Sequence, residues 1–488
     1  MATTTATPSD LRRDRLFLGS CIALIATSVA FATVGAIMGS LKQEFVLTNL
    51  QVGWIGGAAL WGFAVSQLVF APLCDTLGMR TLLRMSFLGH AAGVVVMILA
   101  TGYWGLFVGA LVIAMANGLV EAACNPLVAT LYPDDKTVKL NQFHVWFPGG
   151  VVIGGLAAYG LDQIGIGSWQ LKLGLILIPT AIYGFLLLTE RFPETEGVQA
   201  GVSVGESFKA AFGTPLMWIM LIAMAMTASV ELGPNRWVPA VLEAGGMAGI
   251  LVLVWINGLM AVLRYRAGPV VEQLSPTGIL LASSILAGAG LTWLSYAASG
   301  AATFAAATVF AVGVCYFWPT MLGVVSERVP RSGALGLGLM GTVGMATVGL
   351  ITSPAMGSIA DDYANDRLPV AETTALLETA ATTLGGSTAE DDQSAVGAVS
   401  AALDGFAAQG ALPSPETANA LRAIQASGAP EALIDEAGAV LGPADNYGGR
   451  ISFRYVAPLC GILALIFAAL WAGDRRRGGY RVTRIGEA

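Results

Sequence analysis

The sequence predicts an all-α polytopic membrane protein with twelve transmembrane helices in two six-helix bundles. Three observations predict it: scarce charge, a train of long apolar runs, and a faint repeat between the halves. Of 488 residues, 55% are hydrophobic and 12% charged, about half the charged share of a soluble domain. Mean hydropathy is +0.70. So little polar surface cannot cover a water-soluble body of this size, so a lipid bilayer is the natural solvent. The 61 glycines fit that setting, because small residues let helices approach closely where lipid supplies no hydrophobic drive.

Apolar runs able to cross a core roughly 30 Å thick lie near 17–41, 50–74, 82–101, 104–131, 145–164, 171–189, 215–238, 248–265, 277–297, 302–324, 334–358 and 452–472. The first run is too long for a cleavable signal, and eleven others follow it. The implied organisation is a cytoplasmic tail (1–16), an N-terminal six-helix bundle (17–189), a central cytoplasmic linker (190–214), a C-terminal bundle (215–472) and a cytoplasmic tail (473–488).

Basic residues set the orientation. With the N-terminus inside, 18 of the 25 Lys and Arg fall on inside-facing segments, among them Arg80, Arg84, Lys136, Lys139, Arg264 and Arg266. Both termini are therefore expected in the cytoplasm, with the chain in the cell inner (plasma) membrane. The formal charge of -7 belongs to one segment. Residues 359–450 hold fourteen acidic residues and three arginines, a net -11, which leaves +4 for the rest. This extracytoplasmic insert is Ala-rich and broken at Gly385-Gly386 and Pro413-Ser414-Pro415. It reads either as short helices in a mobile cap or as a loosely ordered acidic loop.

The repeat has an offset near 195 residues. Gly149 and Gly154 match Gly344 and Gly349, Pro126 matches Pro319, and the turn near Ala71 matches that near Gly268. Together these pairs indicate duplicated halves, as in transporters built from parallel repeats.

The turn after the second run reads Ala71-Pro72-Leu73-Cys74-Asp75-Thr76-Leu77-Gly78-Met79-Arg80. It resembles the major facilitator signature: Gly, three residues, Asp, a basic residue, any residue, Gly, then basic residues. Asp75, Gly78 and Arg80 keep the pattern, while Ala71 and Thr76 depart from it. An Asp at a helix end can cap the neighbouring helix and pair with Arg80, latching the cytoplasmic side. The alternative is an ordinary charged turn.

Spans four and five carry a sharper pattern: Asn117-Gly118-Leu119-Val120-Glu121-Ala122-Ala123-Cys124-Asn125-Pro126, then Lys139-Leu140-Asn141-Gln142-Phe143-His144. It resembles the fucose permease family of fucose, galactose and glucose symporters over about 117–155. That resemblance implies that Glu121 carries the proton. The family pattern also has an acidic residue in span one, whereas Phe17 to Leu41 contains no Asp or Glu and the position falls near Gly35.

Glu121 can be read without the resemblance. An ionisable group in mid-span costs about 2.5 kcal/mol or more, so it faces a partner or a wet cavity. Asn117, Glu121 and Asn125 are spaced four apart and share one helix face. Their donors and acceptors suit a polyhydroxyl ligand; the rival reading is a buried structural network. In span seven, Glu231-Leu232-Gly233-Pro234-Asn235-Arg236 predicts a helix broken near its outer end, with Glu231 and Asn235 toward an ion. The alternative there is a Glu231–Arg236 structural pair. His144 is either a protonatable site group or a structural one. Asn257, Tyr316 and Trp318 are candidates for the second half's side of a sugar cavity, against ordinary packing. His90 and Gln67 read as packing groups.

The five cysteines lack metal or redox spacing, only two histidines are present, and no nucleotide-binding or catalytic motif occurs. No cofactor, metal, nucleic acid or enzymatic activity is expected. The expected partners are a small polar solute such as a sugar, a coupling cation (proton or sodium) and the bilayer. The expected function is secondary active transport by alternating access, most simply ion-coupled symport. Two rivals are export of an amphiphilic compound on the same fold and a non-transporting membrane receptor or assembly protein.

Overall fold

A computed structural model describes residues 12–45, 47, 49–247, 249–297 and 299–487. Most of the expected tail 1–16 thus lies outside the described residues.

The first half comprises α1 (Arg13–Glu44), α2 (Asn49–Leu77), α3 (Met79–Ile98), α4 (Tyr103–Leu131), α5 (Lys136–Phe143), α6 (Trp146–Gln163), α7 (Trp169–Gly174) and α8 (Leu177–Leu187). Two short helices, α9 (Glu196–Gln199) and α10 (Val204–Gly213), form the linker. Next come α11 (Pro215–Ala244), α12 (Gly249–Tyr265), α13 (Ala267–Tyr296), α14 (Gly300–Val314), α15 (Phe317–Arg328), α16 (Gly333–Thr347) and α17 (Ser353–Asn365). Finally α18 (Val370–Leu384), α19 (Glu390–Gln409), α20 (Glu416–Gln425) and α21 (Glu431–Arg476) close the chain. Among the described residues, eleven helical stretches are long and apolar enough to cross a membrane, and the 17-residue α12 is a shorter twelfth.

Each half packs mainly on itself, and the halves meet along α2/α16, α5/α15 and α6/α12. Both halves use the same device where their third and fourth spans cross. A Cβ on Gly93 or Gly109 would strike the other's backbone, and one on Gly290 or Gly313 would strike the backbone of α14 or α13. Only glycine lets these backbones touch, which is how small residues glue helices in lipid.

The structure corrects several boundaries. Span five starts at Lys136 and has a break at His144–Val145 between α5 and α6. Span seven is not broken at Gly233-Pro234: α11 runs on through Pro234 and Pro239. Its neighbours support that stretch, since Ser229 bonds Thr352 Oγ1 at 2.6 Å one turn earlier and Gly233 packs against Thr352 and Met356. Surrounding helices of this kind make an intrahelical proline tolerable in a membrane. The Glu231–Arg236 pair does not form, because Glu231 binds Arg264 instead.

The insert folds as helices on a core of their own. Leu376, Leu377, Ala395, Val399, Leu421 and Ile424 are buried there, with Leu433 and Ala437 from the early turns of α21. α21 is 46 residues long and joins the insert to the last span without interruption. Arg422 bridges Asp361 and Asp445, each at 2.8 Å, which neutralises part of the acidic excess at the base. Asp392 accepts from Ser387 and the Gly428 amide, which holds its carboxyl below the usual range. The insert rests on the far end of α11 through Asn446, whose amide donates to the Val241 carbonyl.

Because Leu421 is fully buried in this small core, Leu421→Ala is expected to cost about 2–5 kcal/mol of local stability. Limited proteolysis should then cut within 366–430 faster while α1–α8 stays protected; unchanged cleavage would show that the insert has no cooperative core.

Candidate functional site

A cavity of about 850 Å³ lies between the halves, within the size range of small-molecule sites. Phe31 and Gly35 of α1, Leu60 of α2 and Phe147 and Tyr159 of α6 line one side. Leu232, Asn235 and Arg236 of α11, Asn257 of α12 and Met345 of α16 line the other. Asp162, Glu243 and Ile250, at the helix ends opposite the chain termini, form its mouth. Beneath it, sharing Phe147, Leu232 and Met345, is a void of about 20 Å³ bounded by Glu121, His144, Glu231, Arg264 and Trp318. That is room for about one water.

The polar groups around the void form one chain across the halves. Gln67 Nε2 and Asn125 Nδ2 donate to Glu121 Oε2 at 3.4 and 3.2 Å. Asn125 Oδ1 then accepts from His144 Nε2 at 3.0 Å, so the network assigns the Nε2–H tautomer. The His144 carbonyl accepts from Arg264 Nη1 at 3.0 Å. Arg264 also donates to the Cys315 carbonyl at 2.5 Å and pairs with Glu231 Oε1 at 2.7 Å. Glu231 is thus ion-paired, whereas Glu121 takes two amide donors, lies beside the Trp318 indole, and has no salt bridge among the described residues, Arg264 standing across the void. Glu231 Oε2, Gln67 Oε1 and Trp318 Nε1 are buried without a hydrogen-bond partner. Of these, Glu231 and Trp318 line the void, where a ligand or ordered water can bond them, whereas Gln67 Oε1 lies against Gly341.

Other sequence candidates divide. Asn235 and Asn257 exchange amide hydrogen bonds at 3.2 and 3.4 Å on the wall of the large cavity. Asn117 leaves the Glu121 stripe: its oxygen bonds His90 Nε2 at 2.8 Å, and His90 continues to Tyr183 at 3.0 Å inside the first half. Helical spacing places Asn117 correctly on the face, yet a neighbouring helix claims its amide. Tyr316 turns away to donate to the Leu263 carbonyl at 2.9 Å, while Trp318 reaches the void. Gly35 is open cavity wall, where a Cβ would meet nothing within 4 Å.

Two site residues depart from what the sequence suggests. Charge placement puts Arg264 on an inside-facing turn, but it is 1% exposed at the centre. Its signal is the seven-residue spacing from Asn257, which puts both on one face of α12. Gln67 reads as a packing group, yet its amide reaches Glu121; its signal is only that of a lone amide in an apolar run.

The face bearing both chain ends is sealed. Thr137 donates to Glu327 Oε1 from its amide at 2.9 Å and its hydroxyl at 2.7 Å, and Tyr480 donates to Oε2 at 2.7 Å. Asn141 donates to Thr320 at 3.2 Å. α5 and α15 touch at Gly323, where a Cβ would strike Thr137; Gly338 and Gly341 admit Ala71 and Gln67 in the same way. Asp75 neither caps α3 nor pairs with Arg80. It accepts from the linker's Thr195 at 2.6 Å and lies near Gly333 at the start of α16, while Arg80 donates to the Leu188 carbonyl at 2.9 Å. Gly78 turns the chain between them at φ +80°.

A family model described as Major Facilitator Superfamily matches residues 16–352. The chain belongs to the Major Facilitator Superfamily. Hexose transporter HXT17 of Saccharomyces cerevisiae is 29% identical over 217 residues, 41% of this chain and 38% of that protein. The match therefore spans well under half of that relative's own length. The 2-nitroimidazole transporter of Escherichia coli is 23% identical over 73% of this chain and 92% of its own. Among solved structures, the superfamily transporter FucP in an outward conformation aligns with TM-score 0.58 at 19% identity, over 71% of this chain and 92% of that one. The proton:xylose symporter XylE aligns with TM-score 0.59 at 13% identity, over 70% and 87%. At such identities the likeness speaks for the fold, and the family membership accounts for two bundles around a central cavity.

Two outcomes test this geometry. Arg264→Gln strands Glu231 as a buried charge, so detergent-solubilised protein should lose about 3–5 kcal/mol, with Arg264→Gln/Glu231→Gln recovering much of it in a thermal melt. Gly323→Val should part α5 from α15 and expose the thiol of a Thr320→Cys variant to a membrane-impermeant reagent from the chain-end face. Unchanged labelling would show that this contact is not the seal.

Proposed function

We propose that the chain is a secondary active transporter that couples uptake of a sugar or similar small polar solute to a proton, by alternating access. The observation that carries this reading is Glu121, a carboxylate buried at the cavity floor with amide donors and no cation partner. A carboxylate within a span whose nearest cation is already salt-bridged to another carboxylate is a natural place for a transported proton. Glu231, neutralised by Arg264, instead holds the second half's side of the site.

Coupling follows from the hydrogen-bond chain. When Glu121 is protonated, it becomes a donor to the void and to a solute hydroxyl while Gln67 and Asn125 rearrange. Asn235, Asn257 and Trp318 supply further polar groups to the solute. The hexose, D-xylose and gallate transporters among its relatives support a small hydroxylated solute. The gating role rests on Asp75, Gly78 and Arg80 at the sealed face. With basic residues concentrated on the chain-end face, both termini are read as cytoplasmic in the inner membrane, so the conformer is open to the outside. Residues 190–214 are read as the cytoplasmic linker between the two bundles, with the first helix beginning at Arg13 and the last ending at Arg476.

Glu121→Gln mimics the protonated state. In proteoliposomes with an imposed pH gradient it should abolish accumulation while preserving solute exchange at zero gradient. Accumulation at the wild-type level would sink the assignment of Glu121 as carrier.

A further inference from the structure

Arg236 stands out on the cavity wall. Its side chain is exposed and lines the cavity between the halves. The nearby carboxylates are otherwise engaged or remote: Glu231 is held by Arg264 and Asp162 by Lys172 at 2.6 Å. Glu243 sits two helical turns farther along α11, at the mouth. Among the described residues no carboxylate reaches the guanidinium. An arginine in a membrane span is costly unless paired or functional, and this one faces the large cavity between the halves.

We propose that Arg236 binds the carboxylate of the transported solute, so that the substrate is a hydroxylated monocarboxylate, a sugar acid rather than a neutral sugar. The inference rests on the transport function proposed above and deepens it. A planar guanidinium matches a carboxylate with two parallel N–H donors. Next to it, Asn235 and Asn257 offer amide groups to hydroxyls, and the orphan Trp318 Nε1 and Glu231 Oε2 await a hydroxyl deeper down. The site therefore grades from cationic at the wall to hydroxyl-binding at the floor, which is the polarity of a sugar acid. One unpaired cation balances one negative charge. A dianion such as a sugar phosphate would keep an uncompensated charge between Asp162 and Glu243.

The test compares matched pairs on the full-length protein: D-glucose with D-gluconate and D-glucuronate, D-galactose with D-galacturonate, and D-xylose with D-xylonate, plus D-glucose 6-phosphate. Binding is read by calorimetry in detergent and uptake in proteoliposomes. At least one acid is expected to bind roughly 10- to 100-fold tighter than its neutral partner and than the phosphate. Arg236→Gln should erase that preference by weakening the acid far more than its neutral partner, Arg236→Lys should keep part of it, and Glu243→Gln should not weaken it. Size-exclusion profile and melting temperature establish that each variant is folded.

Neutral sugars binding as tightly as their acids, or a preference that survives Arg236→Gln, would overturn the inference. Proton-driven uptake of a neutral sugar at least as fast as that of its acid, by wild type and Arg236→Gln alike, would do so while leaving the proposed function standing. Absence of uptake for every compound would overturn both.

Discussion

The guanidinium of Arg264 is the interaction on which the centre of this molecule depends. It reaches three acceptors at once: the Glu231 carboxylate, the Cys315 carbonyl and the His144 carbonyl of the opposite half. A buried charge is tolerated only when its donors are satisfied, and here full satisfaction requires both halves in this arrangement. Of the three, only the His144 bond crosses between the halves. Its ring is already committed to Asn125, and through it to Glu121. The Glu121 carboxyl and the bond between the halves therefore belong to one connected set of hydrogen bonds.

Gln67 ties that set to the seal. Its amide donates to Glu121 while the α2 surface around it is packed into Gly338 and Gly341 of α16. Any parting of α2 from α16 thus changes what Glu121 can bond. Small residues hold the closed side together in two places, at α2/α16 and α5/α15, and the cavity lies toward the other end of α2 and α16. Packed contacts of this kind favour discrete arrangements over gradual deformation. Glycine at the seal acts by permitting backbone proximity, and Glu327 adds direction by collecting three donors from Thr137 and Tyr480.

The insert is an unusual load on this machine. Because α21 is continuous from the insert core into the last span, the small helical domain and the second half are mechanically joined. Its Asn446 contact on α11 falls next to the mouth residue Glu243, on the helix that also carries Glu231, Asn235 and Arg236. Charge is what makes it legible as a separate segment: -11 in 92 residues cannot be buried in lipid. Order is not legible, since alanine-rich stretches fit a loose loop as well as packed helices.

What the sequence determined by itself was set by solvent and period. Low charge and twelve apolar runs dictated a helical membrane protein, because a bilayer leaves backbone groups no partner except each other. The duplication followed from offset glycines and prolines, and Glu121 from the cost of a carboxylate in mid-span. Tertiary structure decided the partners. Sequence spacing could put Asn117, Glu121 and Asn125 on one face but could not tell that His90 on α3 takes Asn117. It could flag Glu231 without seeing that Arg264, from a supposed turn, would neutralise it and leave Arg236 free. Helical period constrains only neighbours along one helix, whereas a buried charge finds its counter-charge across helices, and that choice is made by packing.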